Sequence, residues 1–351
     1  MKASRSARMS VYRPRARRAP IARRLAQRLR VASECDESKR RCADQFLGKR
    51  ERSCSYDPAM EQFALANEEA IEAWNGPLFD RFVQYREVVT TGLGTHGEAA
   101  LERYPPQPGQ RVLDVGCGFG DASQSLAELV GSDGEVVGVD VAERFIELAR
   151  EESAAAGVPN VRFDVRDVEL TDFDGEQFDY AFSRFGTMFF ANPVAALRNV
   201  RCALRPGGLL CSVVWRRRED NDWMHSAELV VKTFVEKPEE SDEPTCGPGP
   251  FSMANADTTS AIFLSAGFED ITLHRCDIPI RIGEDIDSAI DFVTAIGPAG
   301  EVLRLLGERA DDQRPQILAA LREDLARFAG PDGVVAPAST WIVVATAPGA
   351  S

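Results

Sequence analysis

Apolar positions along this chain fall into two alternating rhythms. Short apolar runs at residues 111–115, 136–139, 161–165 and 180–183 read as buried strands. Between them, residues 122–130 and 142–156 place apolar side chains three and four apart, the spacing of a helix packed on one face. Gly157-Val158-Pro159 stops the second helix. Asn192-Pro193 predicts a capped start, with Pro in the first turn, for a helix running to Leu204. This alternation predicts an α/β fold, a mostly parallel, doubly wound sheet with helices on both faces.

The flanks read differently. A helical lead follows Met60, breaks at Ala73-Trp74-Asn75-Gly76-Pro77, restarts at Leu78 and continues towards Tyr104. Pro105-Pro106 ends it. After the strand at 209–215, residues 226–236 read as a helix and Glu236 to Pro250 as an acidic, Pro-rich loop. Residues 258–266 form a short helix ended by Gly267, and 271–276 alternate as a strand. Residues 285–328 are helical in pattern, and 341–346 make a last apolar strand.

Composition adds a boundary. The chain has 351 residues and 44% hydrophobic content, enough for one large domain or two small ones. Its net charge is −14, unevenly spread. Residues 1–59 hold 17 Lys and Arg against 6 Asp and Glu, and the remainder hold 24 against 49. So acidic a main body is a poor match for nucleic acid, whose binding rests on phosphate neutralisation. The first 33 residues carry no acid. They read as a mitochondrial or plastid transit peptide, a disordered basic tail or an extension upstream of a start at Met60. All three readings put 1–59 outside a domain at 60–351. No apolar run approaches the ~20 residues of a spanning helix, so stable membrane insertion is not expected. None of the eight cysteines has the two-residue spacing of a zinc or redox motif. Reduced thiols and a cytoplasmic location are expected, with no metal.

The candidate chemistry sits at the end of the first strand, in Asp114-Val115-Gly116-Cys117-Gly118-Phe119-Gly120. Three glycines at alternate positions open the backbone to a ligand, and the following helix start offers N–H groups. The spacing is not the G-x-G-x-x-G of a dinucleotide site, which disfavours a nicotinamide oxidoreductase. Asp114 suits a cationic ligand better than a pyrophosphate.

From Asp114 to Gly120 the chain resembles the first motif of class I S-adenosylmethionine-dependent methyltransferases. The order that follows is similar too: Val136-Val137-Gly138-Val139-Asp140, Val161 to Asp167, Phe178 to Ser183, then Leu204-Arg205-Pro206-Gly207-Gly208. The likeness spans roughly residues 70 to 346 and is nearest the small-molecule branch that includes ubiquinone and menaquinone C-methyltransferases. It implies a seven-stranded sheet whose last strand is antiparallel, between strands five and six. It also implies that 285–328 form a helical insertion over the active site.

The resemblance assigns S-adenosyl-L-methionine as cofactor and distributes its contacts. Asp140 would take the ribose hydroxyls, since a carboxylate offers two oxygens to a diol; a helix N-cap is the other reading. Val141 would pack on the adenine. Asp167 would accept from the adenine amino group and the Val168 N–H would meet a ring nitrogen; Asp164 competes with Asp167, and a solvated loop acid is the plainer reading. Gly116, Cys117 and Gly118 would line the methionine end, with Cys117 there for packing. Asp114 would support the ammonium group or the loop's own N–H groups. The backbone of Ser183 and Arg184 would face the methionine moiety, with Arg184 either contacting an acidic substrate or lying on the surface. Trp74 and Tyr85, on the lead, would fold over the cofactor or pack in the core. His225 is the first choice for a general base, against a structural role; His96 and His274 have less claim. The expected activity is transfer of a methyl group to a small-molecule O, N or C nucleophile. A non-catalytic cofactor-binding module is the alternative.

Overall fold

The computed structural model describes residues 68, 70–171, 173, 175–234, 249–306 and 308–349. The chain divides into Met1–Asp57 and Pro58–Ser351, and every described residue belongs to the second unit. The basic segment 1–59, the boundary at Met60 and most of the loop from Glu236 to Pro250 lie outside the described residues.

Seven strands form the main sheet in the order β3-β2-β1-β4-β5-β10-β6. They are β1 (Arg111–Val115), β2 (Glu135–Asp140), β3 (Val161–Val165), β4 (Phe178–Arg184), β5 (Leu204–Trp215), β6 (Glu269–Asp277) and β10 (Ser339–Thr346). β1 is central and parallel to both neighbours: Leu113 pairs with Val137 on β2 and Ala181 on β4. β10 runs antiparallel between β5 and β6, as expected. A strand covered on both faces must be apolar throughout. Val112, Leu113 and Val115 are accordingly buried.

Helices α1 (Pro77–Gln84) and α2 (Gly94–Arg103) form the lead, joined by a π-helical turn at Val88–Gly92. That turn was not legible as an interruption. Gly92 permits it to pack closely, because a Cβ there would lie 3.1 Å from the Arg281 carbonyl oxygen. The sheet is then covered by α3 (Asp121–Val130), α4 (Glu143–Ala156), α5 (Pro193–Ala203), α6 (Asp222–Lys232) and α7 (Ala256–Ala266). The Asn192 side chain accepts from the Ala195 N–H at 3.0 Å with Pro193 in the first turn, as read from the sequence.

Two features differ from the sequence reading. β5 begins at Leu204, not 209: Leu204 already pairs with Phe178, and the register shifts before Tyr180 meets Leu209. Gly207, at φ 78°, absorbs the irregularity. The insertion at 285–328 is helical, as α8 (Ile286–Ala295), α9 (Pro298–Leu306), α10 (Glu308–Leu325) and a short 3-10 turn. It is framed by a second sheet of β7 (Ile280–Gly283), β8 (Ala329–Gly330) and β9 (Gly333–Ala336), ordered β7-β9-β8. Strands of two to four residues carry too few alternations to be read from sequence. No helix among the described residues is long and apolar enough to cross a membrane.

Gly138, in the middle of β2, shows how tightly the sheet supports the site. A Cβ there would fall 2.6 Å from the Phe163 ring and 3.0 Å from Ser123 Oγ. Gly138→Ala is expected to destabilise the protein by about 1–3 kcal/mol through overpacking. Chemical denaturation checks this, and an unchanged midpoint would contradict it.

Candidate cofactor site

The loop after β1 sits where strand order reverses between β1 and β4, the place where open α/β sheets bind ligands. Gly116, Gly118 and Gly120 all have positive φ, at 69°, 52° and 78°. They do different work. A Cβ on Gly116 would lie 3.0 Å from Gly186 Cα, so this glycine lets the loops after β1 and β4 touch. A Cβ on Gly120 would strike the Phe163 ring at 2.8 Å, so this glycine serves packing. Only Gly118 faces open space. The expectation that all three open the backbone to a ligand is corrected accordingly. Cys117 is buried against Ile146, Ala149 and Phe163, and burial pushes its thiol well above the usual range. It packs and is no nucleophile.

Asp140 ends β2 with its carboxylate across this loop. Oδ2 accepts from the Gly118 N–H at 3.0 Å and Oδ1 from the Ala142 N–H at 2.9 Å. The following helix has its N-cap at Ala142 with no side-chain cap bond, so the N-cap reading of Asp140 is excluded. Each carboxylate oxygen has used one lone pair and keeps another. Val141, next in the chain, is half-buried.

Asp114 is 1% exposed. Its Oδ2 accepts from the Ser123 hydroxyl at 2.6 Å, while Oδ1 is buried without a hydrogen-bond partner. Burial pushes its carboxyl up to about 7; Ser123 and Arg184 oppose this, and Asp121 and Asp140 reinforce it. A buried acceptor left open costs free energy until a donor arrives. A cationic group is the donor such an oxygen favours most.

Ser183 and Arg184 end β4. The wholly buried Ser183 hydroxyl donates to the Val115 carbonyl at 2.8 Å, tying β4 to β1. Arg184 departs from both sequence readings. Its guanidinium is mostly buried and grips Asp121 with two nitrogens, at 2.7 and 2.9 Å. It lies along α2, where a Cβ on Gly97 would come within 2.8 Å of Arg184 Cδ. It is not a surface arginine, and its guanidinium is committed to Asp121.

Beyond β3, Asp167 Oδ1 accepts from the Glu169 N–H at 2.9 Å, and Val168 is buried. Asp164, the competitor, is held by Arg162 on the strand and by Arg166 just past its end. Glu169 accepts from the N–H groups of Ala191 and Asn192, at 3.0 and 2.6 Å, and so fixes this loop to the one entering α5.

The lead closes one side of the loop. Phe79 and Phe119 both pack edge-on against Phe145, and Arg86 lies 4.7 Å above Phe119 while pairing with Glu152. Trp74 meets Phe82 and Phe189 edge-on, bridging the lead and the segment after β4. Tyr85 instead meets Phe292 of α8, so it faces the helical insertion. His225 is on α6, the helix on which α9 and α10 pack; its Nδ1 is buried without a partner. Sequence reasoning missed the Arg184–Asp121 pair, for which Gly94 and Gly97, one helical turn apart, were the available signal. Among the described residues there is no His, Cys, Asp or Glu cluster able to hold a metal.

Residues 106–256 match a family model described as a methyltransferase domain. The chain is 37% identical over 112 residues to an aklanonic acid methyltransferase, DauC, of Streptomyces sp. strain C5, covering 32% of this chain and 51% of that protein. It is 27% identical over 173 residues to a demethylmenaquinone methyltransferase of Staphylococcus epidermidis, covering 47% and 70%. The chain thus spans about half the length of the first of these relatives. The YcgJ protein of Bacillus subtilis is similar in structure, with a TM-score of 0.49 and 18% identity over 73% of this chain and 99% of that one. Residues 106–256 are thus similar to a methyltransferase domain.

Proposed function

We propose that residues 60–351 transfer a methyl group from S-adenosylmethionine to a small molecule. One observation carries the reading: the half-buried Asp140 carboxylate holds the Gly118 N–H beside open space, next to a buried Asp114 oxygen that lacks a donor. Diol, backbone approach and cation are the three demands of this cofactor, and the residues present fit all three.

When bound, S-adenosylmethionine supplies a methyl group already activated on a sulfonium. The chain's own residues orient and enclose. The unused lone pairs of Asp140 take the ribose hydroxyls, and Asp114 Oδ1 takes the ammonium. Asp167 and the Val168 N–H read the adenine edge, with Val141 packed on its face. The backbone of Gly116, Ser183 and Arg184 lines the methionine end, and Trp74 excludes water above it. His225, with its unpartnered Nδ1, is retained as the proton acceptor. Holding nucleophile and methyl in line supplies most of the acceleration. Two relatives named for small-molecule acceptors support that substrate class. Neither a non-catalytic module nor a nicotinamide enzyme draws support from the comparisons. Free thiols at Cys117, Cys211 and Cys276 favour the cytoplasm.

Asp114 makes cofactor binding pH-dependent. Its folded-state value near 7 lies above the ordinary 3.8, so the folded protein holds the proton longer. That contribution to stability is present at low pH and lost as pH rises through about 7. An ammonium at Oδ1 favours the ionised form and reverses the trend. Affinity for S-adenosylhomocysteine should therefore rise by up to about tenfold per pH unit below neutrality, then level off. Calorimetry across that range checks it: Asp114→Asn should flatten the profile, and a flat wild-type profile would contradict the assignment. The activity itself is tested by methyl-labelled S-adenosylmethionine offered with a metabolite extract.

A further inference from the structure

Glu169, just past β3, is a buried carboxylate that the cofactor contacts leave unused. Its two oxygens accept from consecutive backbone donors, the Ala191 N–H at 3.0 Å and the Asn192 N–H at 2.6 Å. Burial pushes its carboxyl up to about 7; those two N–H groups oppose the rise and Asp167 reinforces it. No cation pairs with it among the described residues. A buried carboxylate without a cation is a costly link between two loops. What it secures is the position of the two residues just before it.

Those residues are Asp167 and Val168, and their loop is tied at three places. The Arg166 N–H donates to the Asp140 carbonyl at 2.8 Å, which joins the start of the loop to the end of β2. The Asn199 amide, on α5, donates to the Val168 carbonyl at 2.8 Å. The Glu169 N–H donates to Asp167 Oδ1 at 2.9 Å, so this backbone group orients the Asp167 carboxylate. The Glu169 side chain in turn fixes where its own backbone stands. The segment it grips is well anchored. Thr187 Oγ1 lies 2.9 Å from Ser212 Oγ, Phe189 meets Trp74 edge-on, and Gly186 lies against Gly116 of the cofactor loop. Glu169 therefore ties the loop after β3 to the same segment that braces the loop after β1.

We propose that Glu169 is a positioning residue for the adenine: by gripping the Ala191 and Asn192 N–H groups, it holds the Asp167 carboxylate and the Val168 N–H at the spacing that selects an adenine edge over a hypoxanthine edge. This rests on the function proposed above, which places the adenine at those two groups. Adenine offers an amino donor beside a ring acceptor, matched by a carboxylate and an N–H. Hypoxanthine reverses both, with a carbonyl facing the carboxylate and a ring N–H facing the N–H. Discrimination of this kind requires the two protein groups to stand in fixed relation. Glutamine is an incomplete substitute for Glu169, because its amide gives one acceptor and turns a donor towards the second N–H.

The test measures S-adenosylhomocysteine against S-inosylhomocysteine by calorimetry at about pH 8, above the value near 7 at which the carboxyl ionises. Wild type should prefer the adenosyl compound by about a hundredfold or more. Glu169→Ala should shrink that preference to about tenfold or less, chiefly by weakening the adenosyl compound. Glu169→Gln, which keeps the shape, should fall between, and it keeps the proposal testable if the alanine variant does not fold. A role in stability alone would lower both affinities by one factor and leave the ratio intact. Amide hydrogen exchange at Ala191 and Asn192 should be slow in wild type and faster in the variants. An unchanged ratio in the variants, unchanged exchange at these amides, or a wild type that binds both compounds alike would overturn the proposal. S-adenosylhomocysteine binding that persists in any of these cases leaves the methyltransferase reading standing; a wild type that binds neither compound removes both.

Discussion

Replacing Asp140 with alanine is expected to weaken S-adenosylhomocysteine binding by about 30- to 1,000-fold. Two charge-assisted hydrogen bonds to the ribose would disappear, a loss of roughly 2–4 kcal/mol. The structure adds a second route to the same loss. Asp140 also accepts from the Gly118 and Ala142 N–H groups, so the variant leaves two backbone donors unpaired and loosens the loop that cradles the ligand. Asp140→Asn separates the routes: it keeps one acceptor oxygen but loses the charge, and should fall between. Calorimetry measures all three proteins. Unchanged affinity in the alanine variant would mean that the ligand does not lie across the ends of β1 and β2.

Arg184→Met is expected to cost about 1–3 kcal/mol of folding stability, less than the loss of one partner in a wholly buried ion pair, because Arg184 and Asp121 are 14% and 27% exposed. Asp121 would lose both of its contacts to the guanidinium, and Asp114 would lose the cation that opposes its burial. Methionine fills the channel beside Gly97 without the charge. Adding Asp121→Asn should recover part of the loss, because it removes the carboxylate left behind. Denaturant titration of the single and double variants decides it. A single variant as stable as wild type would show that the pair is not structural.

Most of the sheet was legible because buried parallel strands announce themselves as apolar runs punctuated by turns. Glycines mark the tight places: Gly116, Gly118 and Gly120 identified the loop. Their separate duties depended on neighbours distant in sequence, Gly186 for one and Phe163 for another. Asp140 stood out by following an apolar run, yet its bonds to Gly118 and Ala142 needed coordinates. Arg184 looked like any arginine, since nothing local shows that Asp121 waits 63 residues earlier. The π turn at Val88–Gly92 and the strands β7, β8 and β9 are set by tertiary packing and leave little periodic trace. The burial of His96 was illegible for the same reason: its partners Thr340, Cys276, Phe185 and Trp215 come from four other segments.

The most direct test of the account is transfer of label from methyl-labelled S-adenosylmethionine to an extractable small molecule in a metabolite extract. The account predicts labelled product that accumulates with time, requires the protein and is lost in Asp140→Ala. Tight S-adenosylhomocysteine binding with no labelled product from any extract fraction would contradict it and leave a cofactor-binding protein without transferase activity.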